Sequence, residues 1–179
     1  MIYVIMADGF EDIEALEPID IIRRAGLDVK TAALSGCGAI SAHDVKICTD
    51  IGIDDVKYDD MEMLILPGGA GHVLLDNSEK VDELIAYAAE NNIYIAAICA
   101  SPSVLGKRGL LQGKKYTCFP GFEQYCTGGE FTNAQVVRDG KIITGKGAGA
   151  AADFGFEIVK ILCGDKIASE LKTQMQYKN

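Results

Sequence analysis

Short apolar runs separated by Gly, Pro, Asn and Asp recur along the chain. Runs of this length and composition are typical of strands that are buried on both faces. The predicted strands are, in chain order, Ile2 to Met6, Val29 to Leu34, Glu62 to Leu66, Ile93 to Ile98, Lys115 to Phe119, Ala134 to Arg138 and Lys141 to Thr144, with a small hairpin over Ile40 to Cys48. This number of strands is enough for one central sheet.

Apolar residues at helical spacing lie between most of these strands. The predicted helices are one that turns from Glu11, begins afresh at Pro18 and closes at Gly26, then Glu79 to Glu90 capped by Ser78, one opened by Ser101 and Pro102, Gly147 to Leu162, and Asp165 to Gln174. A new start at Pro18 is expected because proline lacks the N–H that a helix interior needs. The alternation predicts an α/β fold with helices on both faces of a mainly parallel sheet. We expect one domain, residues 1–179.

The composition argues against several classes of function. The formal net charge is −9, and no basic stripe is present, so nucleic acid is not an expected partner. The apolar N-terminal run is too short and too soon followed by acidic residues for a signal peptide, and no segment has the roughly 18 apolar residues of a membrane span. The six cysteines form no Cys-x-x-Cys pair, and neither histidine has metal-ligand spacing. We therefore expect a cytoplasmic protein with reduced cysteines, no metal and no membrane contact.

Unusual residues follow three of the predicted strands. They are Asp8 to Glu14 after the first strand, Pro67 to Gly69 after the third, and Cys99 to Pro102 after the fourth. In open α/β sheets, ligands bind outside the carboxyl ends of the strands. We therefore expect these three segments to converge on one site.

Cys99 stands where a predicted strand passes into a helix. The positive end of a helix dipole stabilises an anion by about 0.3 to 2 kcal/mol, which corresponds to a thiol pKa lowered by about one unit. The backbone N–H groups of Gly68 and Gly69 are candidates for an oxyanion hole. The residues alone leave alternatives open at both places. Cys99 is either a reactive thiolate or an inert core thiol. Pro67 to Gly69 is either an anion-binding loop or a simple tight turn.

Four motifs carry a resemblance to a known family. They are Ala97-Ile98-Cys99-Ala100-Ser101-Pro102, Leu66-Pro67-Gly68-Gly69, Glu11-Asp12-Ile13-Glu14 and Arg23-Arg24-Ala25-Gly26. In this order, and over essentially the whole chain, they resemble the ThiJ/PfpI superfamily, and within it the DJ-1-like protein deglycase or glyoxalase III branch. The resemblance implies a flavodoxin-like three-layer α/β/α sandwich of the class I glutamine amidotransferase type, usually a homodimer.

The same resemblance implies roles for individual residues. Cys99 would be a nucleophile or a redox-sensing thiol, Glu14 the carboxyl group beside it, and Gly69 and Ala100 the donors of the oxyanion pocket. Two anions in contact raise each other's pKa, so Glu14 assists a thiolate only if it keeps its proton and donates it to the sulfur. Without the resemblance, we would interpret Glu14 as a solvated carboxylate in an acidic loop.

Three further positions qualify the resemblance. Many relatives place a histidine where this chain has Phe119, so a Cys-His-acid triad of the peptidase type is not expected. His43 falls where relatives carry a basic residue from the neighbouring subunit, and its alternative is an ordinary surface histidine, as for His72. Cys48 falls at the family's dimer interface, and its alternative is a half-buried strand residue.

A dinucleotide-binding motif competes with this interpretation. Residues 147–152 follow a strand, open a helix and fit the G-x-G-x-x-A form. No strand ending in an acidic residue about 20 positions later follows, so we expect no cofactor and interpret the glycines as helix-packing positions.

The resemblance implies cofactor-independent chemistry on α-oxoaldehydes such as methylglyoxal, or on their early adducts with protein or nucleotide amines. The partners would be a small reactive carbonyl or a modified protein side chain. A redox sensor or stress chaperone that uses an oxidisable Cys99 is the alternative of another class. An intracellular cysteine peptidase or amidase and a thiamine-related ThiJ protein are further alternatives.

Overall fold

The structure, a computed structural model, describes residues 1–177, so the last two residues of the predicted 1–179 domain lie outside it. The strands are β1 (Ile2–Met6), β2 (Val29–Ala33), β3 (Gly38–Ile40), β4 (Lys46–Cys48), β5 (Ile51–Gly52), β6 (Met63–Leu66), β7 (Tyr94–Ile98), β8 (Lys115–Tyr116), β9 (Glu130–Phe131), β10 (Val136–Asp139) and β11 (Ile142–Gly145). The helices are α1 (Asp12–Arg24), α2 (His72–Asp76), α3 (Glu79–Glu90), α4 (Pro102–Lys107), α5 (Ala151–Cys163) and α6 (Asp165–Gln174).

One central sheet has the strand order β10-β11-β7-β6-β1-β2-β5 within the described residues. All neighbours in it are parallel except β10 and β11, which form an antiparallel hairpin. The short edge strand β5 was not predicted, because two residues carry no periodicity. The predicted α/β fold with a mainly parallel sheet is confirmed.

Side chains alternate between the two faces of the sheet, as the period of a strand requires. In β1, Tyr3 and Ile5 join a core covered by α3 and α4, while Ile2, Val4 and Met6 join a core covered by α1, α5 and α6. The central strands β1, β6, β7 and β11 are therefore buried on both sides, and the molecule has the predicted three layers, helix on sheet on helix.

The prediction that α1 begins afresh at Pro18 is wrong. The helix runs unbroken from Asp12 to Arg24 with Pro18 inside it. A Cβ on Gly155 of α5 would lie 3.1 Å from the Pro18 Cα, so the two helices approach closely at this point. This packing outweighs the one helical hydrogen bond that proline removes.

Two other local predictions need correction. The strand expected over Lys115 to Phe119 is limited to β8, which pairs with β9 in a separate small sheet. Ser101 was expected to cap α4, but its hydroxyl makes no capping bond and donates instead to the Pro67 carbonyl at 2.5 Å. That bond ties the β7–α4 turn to the β6–α2 turn. Across the described chain, every helix is too short or too polar to cross a bilayer.

Candidate functional site

Four chain segments meet beyond the carboxyl ends of adjacent strands. The turns that follow β1, β6 and β7 converge as predicted, and the turn that follows β11 joins them. The fourth segment was missed in the sequence because it contributes mainly backbone atoms, which leave no pattern of residue types.

Cys99 occupies the sharp turn between β7 and α4. Its φ is +66°, a left-handed conformation that a non-glycine residue adopts at some cost. The backbone is fixed on both sides, since the Cys99 N–H donates to the Gly145 carbonyl at 2.9 Å and the Phe119 N–H donates to the Cys99 carbonyl at 2.8 Å. The residue is partly exposed, so its sulfur is neither sealed in the core nor free in solvent.

Glu14 lies in the first turn of α1 and is only 1% exposed. Its own N–H donates to the side chain of Glu11, the helix cap, at 2.8 Å. Its carboxyl group contacts the Cys99 thiol, and the N–H groups of Gly68 and Ala148 face it. Oε2 has no partner of full hydrogen-bond geometry within residues 1–177. A buried, incompletely paired carboxyl group favours its neutral form.

The two glycines after β6 make this contact possible. A Cβ on Gly68 would overlap Glu14 Oε2 and lie 2.5 Å from the Cys99 Cβ. Gly69 has φ +86°, and a Cβ on it would lie 2.5 Å from the Glu11 nitrogen. The Gly69 and Ala100 N–H groups point at the Cys99 sulfur, whereas that of Gly68 faces Glu14. The Gly68 N–H thus faces the Glu14 carboxyl group rather than the predicted oxyanion pocket.

Burial raises the pKa of both reactive groups. It raises the pKa of Glu14 to about 7, and the nearby Glu11 carboxylate adds to the effect. Burial and the Glu14 carboxylate raise the pKa of Cys99 to about 12, against the lowering effect of the Gly69 and Ala100 N–H groups. The predicted lowering of the Cys99 pKa is therefore wrong for a site in which Glu14 is ionised, because burial and charge repulsion exceed the contribution of a short helix.

The two groups titrate as a pair. Burial raises the pKa of both groups, so the pair loses its first proton above the usual range of a carboxyl group and keeps the second to high pH, with one proton then shared between Glu14 and Cys99. A thiolate exists in that one-proton state only when the proton resides on Glu14, where the carboxyl group can donate it to the sulfur.

Phe119 lines the open side of the site. Its ring is 48% exposed, and a Cβ on Gly147 would lie 3.3 Å from it and 3.8 Å from Glu14 Oε1. Phe122 packs edge-on against both Phe119 and His72. These three rings form an aromatic rim, and the His72 ring N–H donates to the Gly69 carbonyl at 2.9 Å. Phe119 thus occupies the open side of the site, at the position where the resemblance places a histidine in many relatives.

His43 and Cys48 lie on the β3–β4 hairpin, away from the buried pair. The His43 ring bonds Asp12 at 2.6 Å, and this carboxylate raises the pKa of His43. Glu11, Asp12 and His43 offer three ligand atoms within 4.8 Å of one another, but all three are solvent-accessible and are accounted for by the helix cap and the ion pair. Cys48 is exposed.

The glycines of residues 147–152 do not act as predicted. A Cβ on Gly149 would meet nothing within 4 Å, and Gly147 leaves room for Phe119 and Glu14 rather than for the sheet. The close helix packing belongs to Gly155 instead, where a Cβ would lie 3.0 Å from the Ile21 side chain.

Known proteins match this chain in sequence and in structure. The model of the DJ-1/PfpI family matches residues 1–161. The Parkinson disease protein 7 homolog of Danio rerio is 34% identical over 182 residues, which cover 98% of this chain and 96% of that protein. A protein named a deglycase from Thermococcus kodakarensis is 29% identical over 163 residues, 90% of this chain and 98% of its own. The crystal structure of Drosophila melanogaster DJ-1beta superposes with a TM-score of 0.94 at 32% identity, covering 99% of this chain and 98% of that one.

Proposed function

Because this chain belongs to the DJ-1/PfpI family, we propose that Cys99 and Glu14 convert reactive α-oxoaldehydes, or their early adducts on amines, into 2-hydroxy acids without a cofactor. The observation that carries the proposal is the contact between a partly exposed thiol and a buried carboxyl group whose pKa is about 7. General acid-base catalysis is most effective when the catalytic pKa lies near the working pH. The deglycase name of the Thermococcus relative points the same way.

The reaction starts from the pair that carries one proton. The Cys99 sulfur adds to the aldehyde carbon, and Glu14 gives its proton to the aldehyde oxygen, which forms a hemithioacetal. The Glu14 carboxylate then accepts the hydrogen on that carbon as a proton. This proton and the one on the new hydroxyl move to the neighbouring ketone group through an enediol, and a 2-hydroxyacyl thioester results. Water hydrolyses it and regenerates the thiol; one carbon is oxidised while its neighbour is reduced.

The Gly69 and Ala100 N–H groups have a role in the same scheme. They face the Cys99 sulfur and lower its pKa, so they favour the thiolate form. The exposed Phe119 rim leaves the site open to an adduct carried on a protein side chain as well as to a small free carbonyl.

Replacement of the sulfur tests the activity directly. Cys99→Ser should abolish lactate release from methylglyoxal, while Cys163→Ser, a half-exposed thiol at the end of α5, should keep the wild-type rate. Turnover by Cys99→Ser at the wild-type rate contradicts the proposal.

Replacement of the acid tests how the thiolate is held. Glu14→Leu removes the carboxylate whose charge raises the pKa of Cys99, so the pH midpoint of Cys99 alkylation should fall. An unchanged midpoint would show that Glu14 does not control the ionisation of Cys99.

A redox sensor is the second candidate function, and the donors around the sulfur favour it. Two backbone N–H groups and a protonated Glu14 can bind the oxygens of a Cys99 sulfinate. Stoichiometric sulfinate formation under mild peroxide, without turnover of methylglyoxal, would decide for the sensor. A Cys-His peptidase is not proposed, because Phe119 lies where such an enzyme needs a base.

We also propose that the protein is a cytoplasmic homodimer. Four apolar side chains on α1 and the β3–β4 hairpin are more than a third exposed: Ile13, Leu16, Ile40 and Val45. Ile40 and Val45 lie on the same hairpin as His43 and Cys48, the two residues expected near a partner subunit. Ile13→Asp should give a monomer in sedimentation, while Ile167→Asp on α6 should not. His43→Ala tests a role across the interface, which fails if turnover and thiol reactivity are unchanged.

A further inference from the structure

Ser101 is a buried residue beside Cys99 that the chemistry proposed above does not use. It lies at the start of α4, two residues after Cys99, and is 0% exposed. Its hydroxyl donates to the Pro67 carbonyl at 2.5 Å, 34 residues away in the chain. The bond joins the turn that carries the thiol to the turn that follows β6.

The Pro67 carbonyl belongs to the same peptide unit as the Gly68 N–H. The two groups point in opposite directions because the peptide bond is trans. The Gly68 N–H faces the Glu14 carboxyl group. A Cβ on Gly68 would overlap Glu14 Oε2 and lie 2.5 Å from the Cys99 Cβ, so this peptide unit is packed directly against the reactive pair. Ser101 is therefore separated from Glu14 by a single peptide unit.

Backbone hydrogen bonds hold the same turn in place. The Gly68 carbonyl accepts the Glu11 N–H at 3.1 Å, and the Ser101 N–H donates to the Ile98 carbonyl at 3.1 Å. Hydrogen bonds in series polarise one another, by about 10 to 30% per bond. A hydroxyl that donates to the Pro67 oxygen therefore makes the Gly68 N–H a stronger donor.

We propose that Ser101 is a positioning residue that decides, through the Pro67–Gly68 peptide unit, how readily Glu14 gives up the proton that it shares with Cys99. A stronger donor at Gly68 stabilises the Glu14 carboxylate. In the reaction proposed above Glu14 both gives and accepts a proton, so this bond would affect both steps. Its role in turnover rests on the proposed function, whereas its effect on the proton does not.

The other groups around Glu14 are accounted for. Among residues 1–177, the ionisable groups that face it are the Cys99 thiol and the Glu11 carboxylate. Burial raises the pKa of Glu14, the thiol lowers it by hydrogen bonding, and the Glu11 charge raises it further. These three influences remain when Ser101 is replaced.

Two backbone N–H groups also face Glu14, and they differ in what lies behind them. The carbonyl of the peptide unit that carries the Ala148 N–H accepts a backbone N–H. The carbonyl of the unit that carries the Gly68 N–H accepts the Ser101 hydroxyl. A side-chain substitution can therefore weaken the Gly68 donor.

NMR can follow the Glu14 proton directly in protein labelled at the glutamate carboxyl carbon, with the signal assigned by its absence from Glu14→Gln. Ser101→Ala should raise the pH midpoint of this signal by about 0.3 to 0.6 unit, because the carboxylate loses part of its donor. Ser103→Ala is the matched control and should keep the wild-type midpoint. Ser103 is 1% exposed on the same helix, but its hydroxyl donates to the Ala100 carbonyl at 2.6 Å.

Alkylation of Cys99 distinguishes this role from a general loosening of the turn. When Glu14 holds its proton more firmly, more of the pair carries its charge on the sulfur. Ser101→Ala should therefore be alkylated about two to four times faster than the wild type at pH 8. In a Glu14→Gln background the same substitution should have no effect. The rate is read by mass spectrometry on tryptic residues 81–107, whose only cysteine is Cys99.

Two outcomes overturn the proposal. One is a Glu14 midpoint in Ser101→Ala equal to that of the wild type, and the other is the same change in alkylation rate with and without Glu14. If Ser101→Ala does not fold, Ser101→Cys, which has a similar size and a weaker donor, gives the same NMR comparison. Neither measurement uses a carbonyl substrate, so a lack of methylglyoxal turnover would contradict the proposed function and leave this result intact.

Discussion

Asp12 and Glu14 stand two residues apart in the first turn of α1, yet their carboxyl groups have opposite properties. Asp12 lies on the outer side, where hydrogen bonds from Ser41 and His43 lower its pKa. Glu14 lies on the inner side against Cys99, where burial raises its pKa to about 7. Both are near the same helix N-terminus, which favours a negative charge on either one.

The difference shows that the face of the helix, rather than the helix dipole, decides the charge of each acid. A dipole contributes at most about 2 kcal/mol, whereas burial of a carboxylate without full pairing costs more. One helical turn therefore presents a permanent anion to the surface and a proton donor to the interior.

The largest expected difference between Glu14 and Asp12 is in the effect of their replacement on turnover. Glu14→Gln keeps the shape and a hydrogen-bond donor but cannot move a proton, so turnover of methylglyoxal should fall about 10² to 10⁴-fold. Asp12→Asn should change turnover by less than about threefold, because its carboxylate does not face the sulfur. Equal losses in steady-state assays of the two variants would remove the distinction between them.

The pH dependence of stability should separate them next. The folded-state pKa of Glu14 lies above its ordinary 4.5, so the stability linked to its proton is complete below pH 4.5 and is lost as the pH rises through about 7. The loss amounts to about 3 kcal/mol at about 1.4 kcal/mol per pKa unit. Glu14→Gln should therefore unfold at a higher urea concentration than the wild type at pH 8, and at a similar concentration at pH 4.5.

The pH dependence linked to Asp12 has the opposite sign: its lowered pKa gives stability that is present above pH 3.8 and lost below it. Parallel pH profiles of wild type and Glu14→Gln would contradict the assignment.

Space around Glu14 can be tested with two glycines. Gly68→Ala places a methyl group against Glu14 and Cys99, and such overpacking should lower the free energy of unfolding by about 1 to 3 kcal/mol. Gly149→Ala, where a Cβ meets open space, serves as the matched control and should unfold like the wild type. Equal melting temperatures for both variants would show that the inner side of the turn is not tightly packed.

The smallest effect concerns the outer side. Asp12 raises the pKa of His43, so Asp12→Asn should return the His43 titration in NMR spectra toward the ordinary value of 6.5. The pair is exposed, so its loss should leave the urea midpoint of unfolding nearly unchanged. A His43 titration that ignores the substitution would mean that the bond to Asp12 does not persist in solution.

Much of this arrangement was predictable from the sequence. The apolar runs ending at Met6, Leu66 and Ile98 identified the strands, and parallel pairing then required their following residues to meet. Pro18 was misread because its tolerance depends on Gly155, which is distant in the chain. The direction of the Cys99 pKa was missed for a similar reason, since it depends on how closely Gly68 allows Glu14 to approach.

Other parts of the site carry no readable signal. Ala148 contributes an N–H to Glu14, and any residue except proline could do so.

The backbone angle at Cys99 has a consequence for the evolution and engineering of this fold. Glycine would adopt φ +66° without the penalty of about 1 kcal/mol that a side chain brings. A chain with glycine at this position should therefore have a higher melting temperature and no activity on carbonyl substrates. Selection for thermal stability alone would favour such an inactive variant. A screen for stabilised variants of this fold therefore has to measure turnover as well as the melting temperature.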